Sequence, residues 1–449
     1  MTLIRSVSGV RGTTGVDITE SLVRRYAAAF GAMVGGDVAV GWDGRRGGDS
    51  LLAAVVRGLG SAGARALDAG LVPTPTVGIA VRKRGLAGGV VVTASHNPEA
   101  QNGLKFFSKR GIFLVPEDAA RLFAAADSSE PPEEEGPEPS ALEGALRHHL
   151  NLVLSSRLVD REGIASRAPK VVVDCVNAAG SHALPTLLRE LGCRVTAMNA
   201  EPGRGFTRGP EPVPENLGGL AEAVSDAGAD VGLACDPDAD RLAVVDEHGS
   251  PVGEEYTLAL AARAVLARTP GPIVANVSTS RMMDDVASEF SVPIHRSPVG
   301  EVNVVTKMEE VSAVVGGEGN GGVILPDVHL GRDACTAAAL VMTALCDAGC
   351  SASELLGRSP SYSMLKTKLG LPGVSREAIV GAVRGAFPDA LVDLTDGPKM
   401  TWPDRWVHAR MSGTEPVVRV IAEAPDRATS ESLVERATDA LLRTTEGGS

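Results

Sequence analysis

Aromatic side chains are scarce in this chain: Phe, Trp and Tyr together make up 3% of its 449 residues. Its cores must therefore be filled by Val, Leu and Ala. Basic tracts are missing and the formal net charge is −13, which excludes an ordinary nucleic-acid-binding surface. No apolar run reaches the ~18 residues that a membrane helix requires. The opening MTLIRSVSGVRG has no apolar core of the secretory-signal kind. None of the six cysteines stands in CxxC spacing, so reduced thiols in a cytoplasmic protein are expected. No Gly-Lys-Ser/Thr is present, which removes a Walker loop. No Gly-x-Ser-x-Gly elbow surrounds Ser95, so a hydrolase triad is poorly supported.

What is present is a plan written three times. The first copy runs from strand DVAVGWD through helix SLLAAVVRGLGSAG to strand GGVVVTAS and a loop at Ser95. The second runs from KVVVDCV through two helical stretches to ADVGLAC and a loop at Asp236. The third runs from GPIVANVS through RMMDDVASEF and EVNVVTKMEE to VSAVVGG and a loop at Glu318. Strands alternating with helices predict crossover units and largely parallel sheets, with functional loops at the carboxyl ends of strands. The last stretch differs: WVHARMSGTEPVVRVIAEAP reads as strand, loop, strand, followed by a helix. The expectation is three similar α/β domains with mixed, largely parallel sheets (1–145, 146–252, 253–365) and a smaller α+β domain (366–449). The Pro/Glu-rich DSSEPPEEEGPEPSALEG reads as an exposed connection between the first two.

Four loops carry candidate chemistry. In CDPDADR, Asp236, Asp238 and Asp240 alternate after a strand, and three carboxylates can converge on a hard cation such as Mg²⁺. A calcium loop would need glycine where Arg241 stands, and a solvated acidic turn is the other alternative. In GGEGNGG the glycine spacing matches a dinucleotide fingerprint only weakly, because a strand-like VILPDV follows instead of a helix. Glu318 and Asn320 suit sugar hydroxyls, or simply stand on a tight turn. In RMSGTEP, Arg410, Ser412, Gly413 and Thr414 form an anion cradle or a surface turn, with Arg419 on the next strand. Finally TASHNP holds Ser95 and His96 beside NGLK with Lys105. A serine can accept phosphate without a triad if a cation and positioned donors stabilise the transferring group.

Together, and in this order, SGVRG, TASHNP with NGLK, DPDADR, GEGNGG and RMSGTEP resemble the α-D-phosphohexomutase family over essentially the whole chain. That family includes phosphoglucomutases, phosphomannomutases and phosphoglucosamine mutases. The resemblance implies four domains around a cleft, and a phosphoserine at Ser95 that donates and reclaims phosphate. It implies Mg²⁺ held by Asp236, Asp238, Asp240 and the seryl group. Arg11, Arg241, His96 and Lys105 would surround that centre, with Lys105 favoured for acid/base work. Glu318 and Asn320 would read the sugar. Arg410, Ser412, Gly413, Thr414 and Arg419 would hold the second phosphate. The reaction implied interconverts hexose 6- and 1-phosphates through a hexose 1,6-bisphosphate, with a small-molecule substrate, no nucleic acid and no membrane, and with homodimer formation left open.

Departures bear on the sugar. Trp42 stands where many members have the first arginine of Gly-Arg-Asp-Thr-Arg. Asn320 and Gly322 replace a serine and a histidine of the sugar loop, and Glu301 replaces a second histidine. The Glu-x-Asn-Gly-Gly form resembles archaeal-type phosphoglucosamine mutases, so glucosamine phosphate is favoured over glucose or mannose phosphate. A sugar phosphatase using the same phosphoserine, and a non-catalytic sugar-phosphate sensor, are the readings from other classes. His148 and His149 are expected on a solvated helix face, Trp402 and Trp406 in packing, and His329 within reach of the sugar loop.

Overall fold

The computed structural model describes residues 3–131, 138–412 and 417–446. Its four sheets follow the expected plan. In the second unit the central strand Lys170–Asp174 has Arg194–Met198 parallel on one side and Val231–Cys235 parallel on the other. Leu242–Val245 then closes that side antiparallel. In the third unit Ile273–Asn276, Ile294–Ser297, Val315–Glu318 and Gly322–Ile324 occupy the same four places. The first unit repeats the set with Val38–Trp42, Ala66–Leu71, Gly88–Val92 and Gln101–Ser108. It then widens the sheet with Ile4–Ser6 and Gly9–Thr13.

The repeat places one loop identically in each unit, between the third, parallel strand and the fourth, antiparallel one. Ser95, the three aspartates and Glu318–Asn320 lie at these three places. Each loop also needs a left-handed backbone residue: Ser95 (φ 50°), Ala239 (φ 52°) and Gly321 (φ 86°). Only the third is glycine. A Cβ at Gly321 would stand 2.3 Å from the Leu242 carbonyl oxygen, so close approach of the second unit dictates the residue. At Ser95 and Ala239 a side chain is kept in a strained region, the kind of cost held at functional turns.

The helix Ala334–Ala348 is apolar nearly all round, as a fully enclosed helix must be. It packs on Glu255–Leu266 of its own unit and on Arg161–Arg167 and Gly180–Glu190 of the second, so the second and third units share one hydrophobic core. The fourth unit has its own core between a five-stranded sheet and the helices Arg376–Ala386 and Arg427–Glu446. Its first strand is Ser363–Gly370, paired along its length with Val417–Ala424. The expected boundary at 365/366 therefore cuts a strand, and the unit begins before Ser363. The acidic connection is also more than a connection: Ser140–Ala141 adds an edge strand beside Ala66–Leu71. Its residues 132–137 lie outside the described ones.

His149 is fully buried, not solvated. Its Nδ1 meets Thr76 Oγ1 at 2.8 Å and its Nε2 meets Asp333 Oδ2 at 2.9 Å, joining helices of three units. Trp406 is buried, and Trp402 lies edge-on to Phe387 with ring centroids 5.6 Å apart.

Candidate active site

Ser95 follows a strand, Gly88–Val92, that is buried on both faces. The loop is held from below by a buried ion pair that the motif does not include. Arg45 Nε donates to Asp43 Oδ2 at 2.8 Å, and Arg45 Nη2 donates to the Ser95 carbonyl at 2.6 Å. Thr93 Oγ1 donates to Asp43 and accepts from the Ser95 amide at 2.8 Å. Asp43 and Arg45 thus fix the strained residue from both sides. Trp42, where the family's arginine is missing, packs instead on the start of the next helix against Gly48.

The Ser95 hydroxyl donates to Asp236 Oδ2 at 3.0 Å. Asp236 Oδ1 is capped by the amides of Asp240 and Arg241, both at 3.1 Å. Asp238 Oδ2 accepts from Thr74 Oγ1 at 2.6 Å and from Lys105 Nζ at 2.5 Å. Asp240 Oδ2 accepts from Lys105 Nζ at 2.9 Å and Arg332 Nη2 at 2.8 Å. All three aspartates are buried, with ligand oxygens within 4.8 Å of one another. Asp238 Oδ1 and Asp240 Oδ1 are buried without a hydrogen bond. Burial, with Asp240 and Asp238 adding, pushes the Asp236 carboxyl well up. Buried carboxylate oxygens without a hydrogen bond, crowded together within one cluster, are a donor set short of a cation partner. The donor set fits a hard divalent ion.

His96 Nδ1 lies 3.4 Å from Ser95 Oγ. Burial, and then Arg241 and Arg11, push His96 well below its usual range, which keeps the ring neutral. Arg11 Nη1 reaches Asn97 Oδ1 at 3.4 Å, and Arg241 Nη1 reaches Glu211 Oε1 at 3.2 Å. Both arginines therefore lie near enough to His96, beside the serine, to act on its charge.

On the opposite side Glu318 is tightly held. Its Oε1 accepts from Asn276 Nδ2 at 2.9 Å and the Gly300 amide at 3.0 Å, and its Oε2 accepts from Arg332 Nη1 at 2.9 Å. With two acceptor directions per oxygen, one direction on Oε2 is left for a ligand. Asn320 Oδ1 is turned back to the Gly322 amide at 3.2 Å. Arg332 is the residue the motifs miss. Its guanidinium bridges Asp240, Glu318 and Glu301, with Nε donating to Glu301 Oε2 at 2.8 Å. Asp333, immediately after it, caps the buried helix through the Cys335 amide and is pinned by His149, which fixes where Arg332 points.

Arg410 and Arg419 face each other across paired strands of the fourth unit. Arg410 Nη1 lies 3.9 Å from Asp396 Oδ2, and burial, followed by Arg419, lowers its pKa. Ser412 donates its amide to the Val417 carbonyl at 2.9 Å. Gly413 and Thr414 lie outside the described residues. His329 is buried against Gly78, whose Cβ would stand 2.9 Å from the imidazole ring.

Four family models match this chain in order. They describe domains I, II and III and the C-terminal domain of phosphoglucomutase/phosphomannomutase, over residues 3–133, 147–249, 253–362 and 377–440. The chain belongs to the phosphoglucomutase/phosphomannomutase family. It is 38% identical over 448 residues to the "probable phosphoglucosamine mutase" of Methanopyrus kandleri, covering 98% of each chain. It is 39% identical over 429 residues to a phosphoglucomutase/phosphomannomutase of Thermococcus kodakarensis, covering 93% of each. A crystal structure of a phosphoglucomutase/phosphomannomutase family protein from Burkholderia thailandensis superposes with a TM-score of 0.83, at 26% identity and 99% coverage of both chains.

As a phosphohexomutase, the chain gathers Ser95, His96, Lys105, Arg11, Arg241 and the three aspartates into one centre, and Glu318 joins it through Arg332. Asp43, Arg45, Thr74 and Arg332 are the supporting residues absent from the motifs. The signal for two of them was visible: Asp43 and Arg45 are paired charges directly after an apolar strand. No described helix is long and apolar enough to cross a membrane.

Proposed function

We propose that this phosphohexomutase carries a phosphoryl group between the 6- and 1-positions of a hexose monophosphate, with glucosamine phosphate preferred. The observation that carries it is Ser95, a left-handed residue whose hydroxyl lies 3.0 Å from the buried aspartate cluster. Ser95 gives its phosphoryl group to the free hydroxyl of the substrate. The resulting 1,6-bisphosphate turns in the cleft and returns its other phosphate to Ser95. Asp236, Asp238 and Asp240, with the seryl group, would hold Mg²⁺, which when bound offsets charge on the transferring group. Arg11 and Arg241 stabilise the phosphate at Ser95, and neutral His96 adds a hydrogen bond without changing the charge there. Lys105 holds Asp238 and Asp240, the aspartates beside the one that meets Ser95, and would carry the proton exchanged with the substrate hydroxyl. Arg410, Ser412, Gly413, Thr414 and Arg419 would hold the phosphate that is not moving. A cytoplasmic location fits six cysteines that are all free.

The amino sugar rests on the Glu-x-Asn-Gly-Gly loop and on the name of the Methanopyrus relative. A second reading, glucose or mannose phosphate, is favoured by the name of the Thermococcus relative, which is equally similar. The test is turnover with Mg²⁺ and a trace of hexose 1,6-bisphosphate, comparing kcat/KM for glucosamine-, glucose- and mannose-phosphates. About a hundredfold preference for glucosamine phosphate supports the first reading; comparable rates support the second. Ser95→Ala should lose at least about 10⁴-fold in turnover, the scale of removing a covalent nucleophile, while still binding substrate. Near wild-type turnover in that variant overturns the mechanism. Release of inorganic phosphate without isomer identifies a phosphatase.

A further inference from the structure

Glu301 stands where relatives in the resemblance carry a histidine, and the mechanism above gives it no task. It opens the helix Glu301–Val311, directly after the Gly300 amide that holds Glu318. Its side chain is only 8% exposed. Arg332 occupies Oε2 at 2.8 Å. Among the described residues no hydrogen bond reaches Oε1, and that atom is not among the sealed ones. This is an enclosed carboxylate with one oxygen still open.

The charges around it do not balance. Arg332 is a single cation facing Asp240, Glu318 and Glu301. Asp240 is shared with Lys105, which leaves Glu301 and Glu318 with one guanidinium in direct contact, Arg410 acting on Glu318 only from farther off. The substrate's phosphates do not fit here, because the arginines placed for them are Arg11 and Arg241 at one end and Arg410 and Arg419 at the other. A ligand bearing only hydroxyls would leave the surplus anion enclosed and uncompensated, which is costly. A ligand bearing an ammonium would complete the neutralisation. Burial, reinforced by Asp240 against the pull of Arg332, holds the Glu301 carboxyl at about 7, and a cation bound beside it would favour its charged form.

We propose that Glu301 is the specificity-determining residue for the amino sugar, taking the 2-ammonium of a hexosamine phosphate on its open Oε1. This rests on the amino-sugar reading above. Arg332 acts through it as a positioning residue, setting Glu301 and Glu318 at a fixed separation along one guanidinium.

The test is Glu301→Gln, which keeps the shape and one acceptor but removes the charge. The readout is the ratio of kcat/KM for glucosamine 6-phosphate to that for glucose 6-phosphate, measured on the same preparation. The ratio should fall about 10- to 100-fold, the range for losing a hydrogen bond to a charged group. A purely structural role would lower both substrates together and leave the ratio unchanged, and that result overturns the proposal. Calorimetric affinities for the same two sugar phosphates, on Ser95→Ala with and without Glu301→Gln, give the same comparison without turnover. There, an unchanged affinity ratio also overturns it. If the wild-type enzyme shows no preference for glucosamine phosphate, the amino-sugar reading itself fails. If the preference exists and survives Glu301→Gln, only the assignment to Glu301 fails.

Discussion

Lys105 and Lys399 are both buried, and their electrostatics run in opposite directions. Lys105 crosses from the first unit to the second and pairs with Asp238 and Asp240. Burial would lower its pKa, but the two carboxylates outweigh burial and raise it. Lys399 crosses from the fourth unit to the third and donates to the Val277 carbonyl at 2.6 Å, with the Trp406 ring centroid 4.2 Å away. No carboxylate pairs with it among the described residues. Burial leads, Arg296 adds repulsion, and Lys399 falls to about 7. Its neighbours are of the same kind: Glu423 accepts from the Ser280 hydroxyl, the Arg281 amide and Trp406 Nε1. One junction is built of opposite charges with carboxylate oxygens to spare. Around Lys399 and Glu423 the other pairs charged groups with neutral donors and acceptors, while Lys366 meets Glu254 and Glu255 elsewhere across the same joint. The first suits binding a cation against a fixed serine. The second holds a buried amine whose charge a modest change of pH can remove.

The largest expected effect comes from breaking the first junction. Lys105→Met leaves Asp238 and Asp240 buried without their shared cation, which costs about 3–5 kcal/mol for such a pair. Thermal unfolding in EDTA should show a large drop relative to wild type. Excess Mg²⁺ should recover most of it, because an ion among the three aspartates replaces the lost charge. Equal melting in EDTA and Mg²⁺ would mean that the aspartates do not hold the ion together. On the proposed acid/base role of Lys105, turnover should remain low even with Mg²⁺.

The sequence made one side of this comparison legible and left the other blank. The three functional loops could be read because polar residues break long Val- and Ala-rich runs at the same point in each copy. DPDADR needs no distant partner to be suspicious: three carboxylates in seven residues are already a statement about charge. Arg332, Glu301 and Lys399 carry no such local mark. Arg332 matters because it meets a carboxylate 92 residues away in the chain, and His149 because it meets one 184 residues away. The neighbouring His148 made that helix face look solvated, yet burial of His149 was decided by helices of two other units. The 365/366 boundary failed for the same reason. Ser363–Gly370 is claimed by a partner strand some fifty residues later, and nothing in its own residues says so.

The second junction is probed by pH, with a smaller effect. Unfolded, Lys399 titrates near its ordinary 10.5; folded, at about 7. Between these values the unfolded chain keeps a proton that the folded chain has released. Stability contributed at this position therefore rises with pH, with a limiting slope of roughly 1.4 kcal/mol per pH unit. Below 7 both states are charged and the penalty is constant. Glu255, held at about 7 by burial, works the other way, losing stability as pH rises toward 7, and is largely finished by pH 7.5. Buried thiols also oppose the trend at higher pH, Cys193 being pushed up to about 12. The window for Lys399 is therefore about pH 7.5 to 8.5. Asp236 and Glu301, also pushed up, oppose the trend equally in wild type and variant, so denaturant unfolding across the window should show wild type gaining on the order of 1 kcal/mol relative to Lys399→Met. Lys399→Met should be more stable at pH 7.5 and should not share the gain. If wild type and variant change in parallel, the joint between the third and fourth units is not governed by this lysine, and the contrast with Lys105 lies in geometry alone.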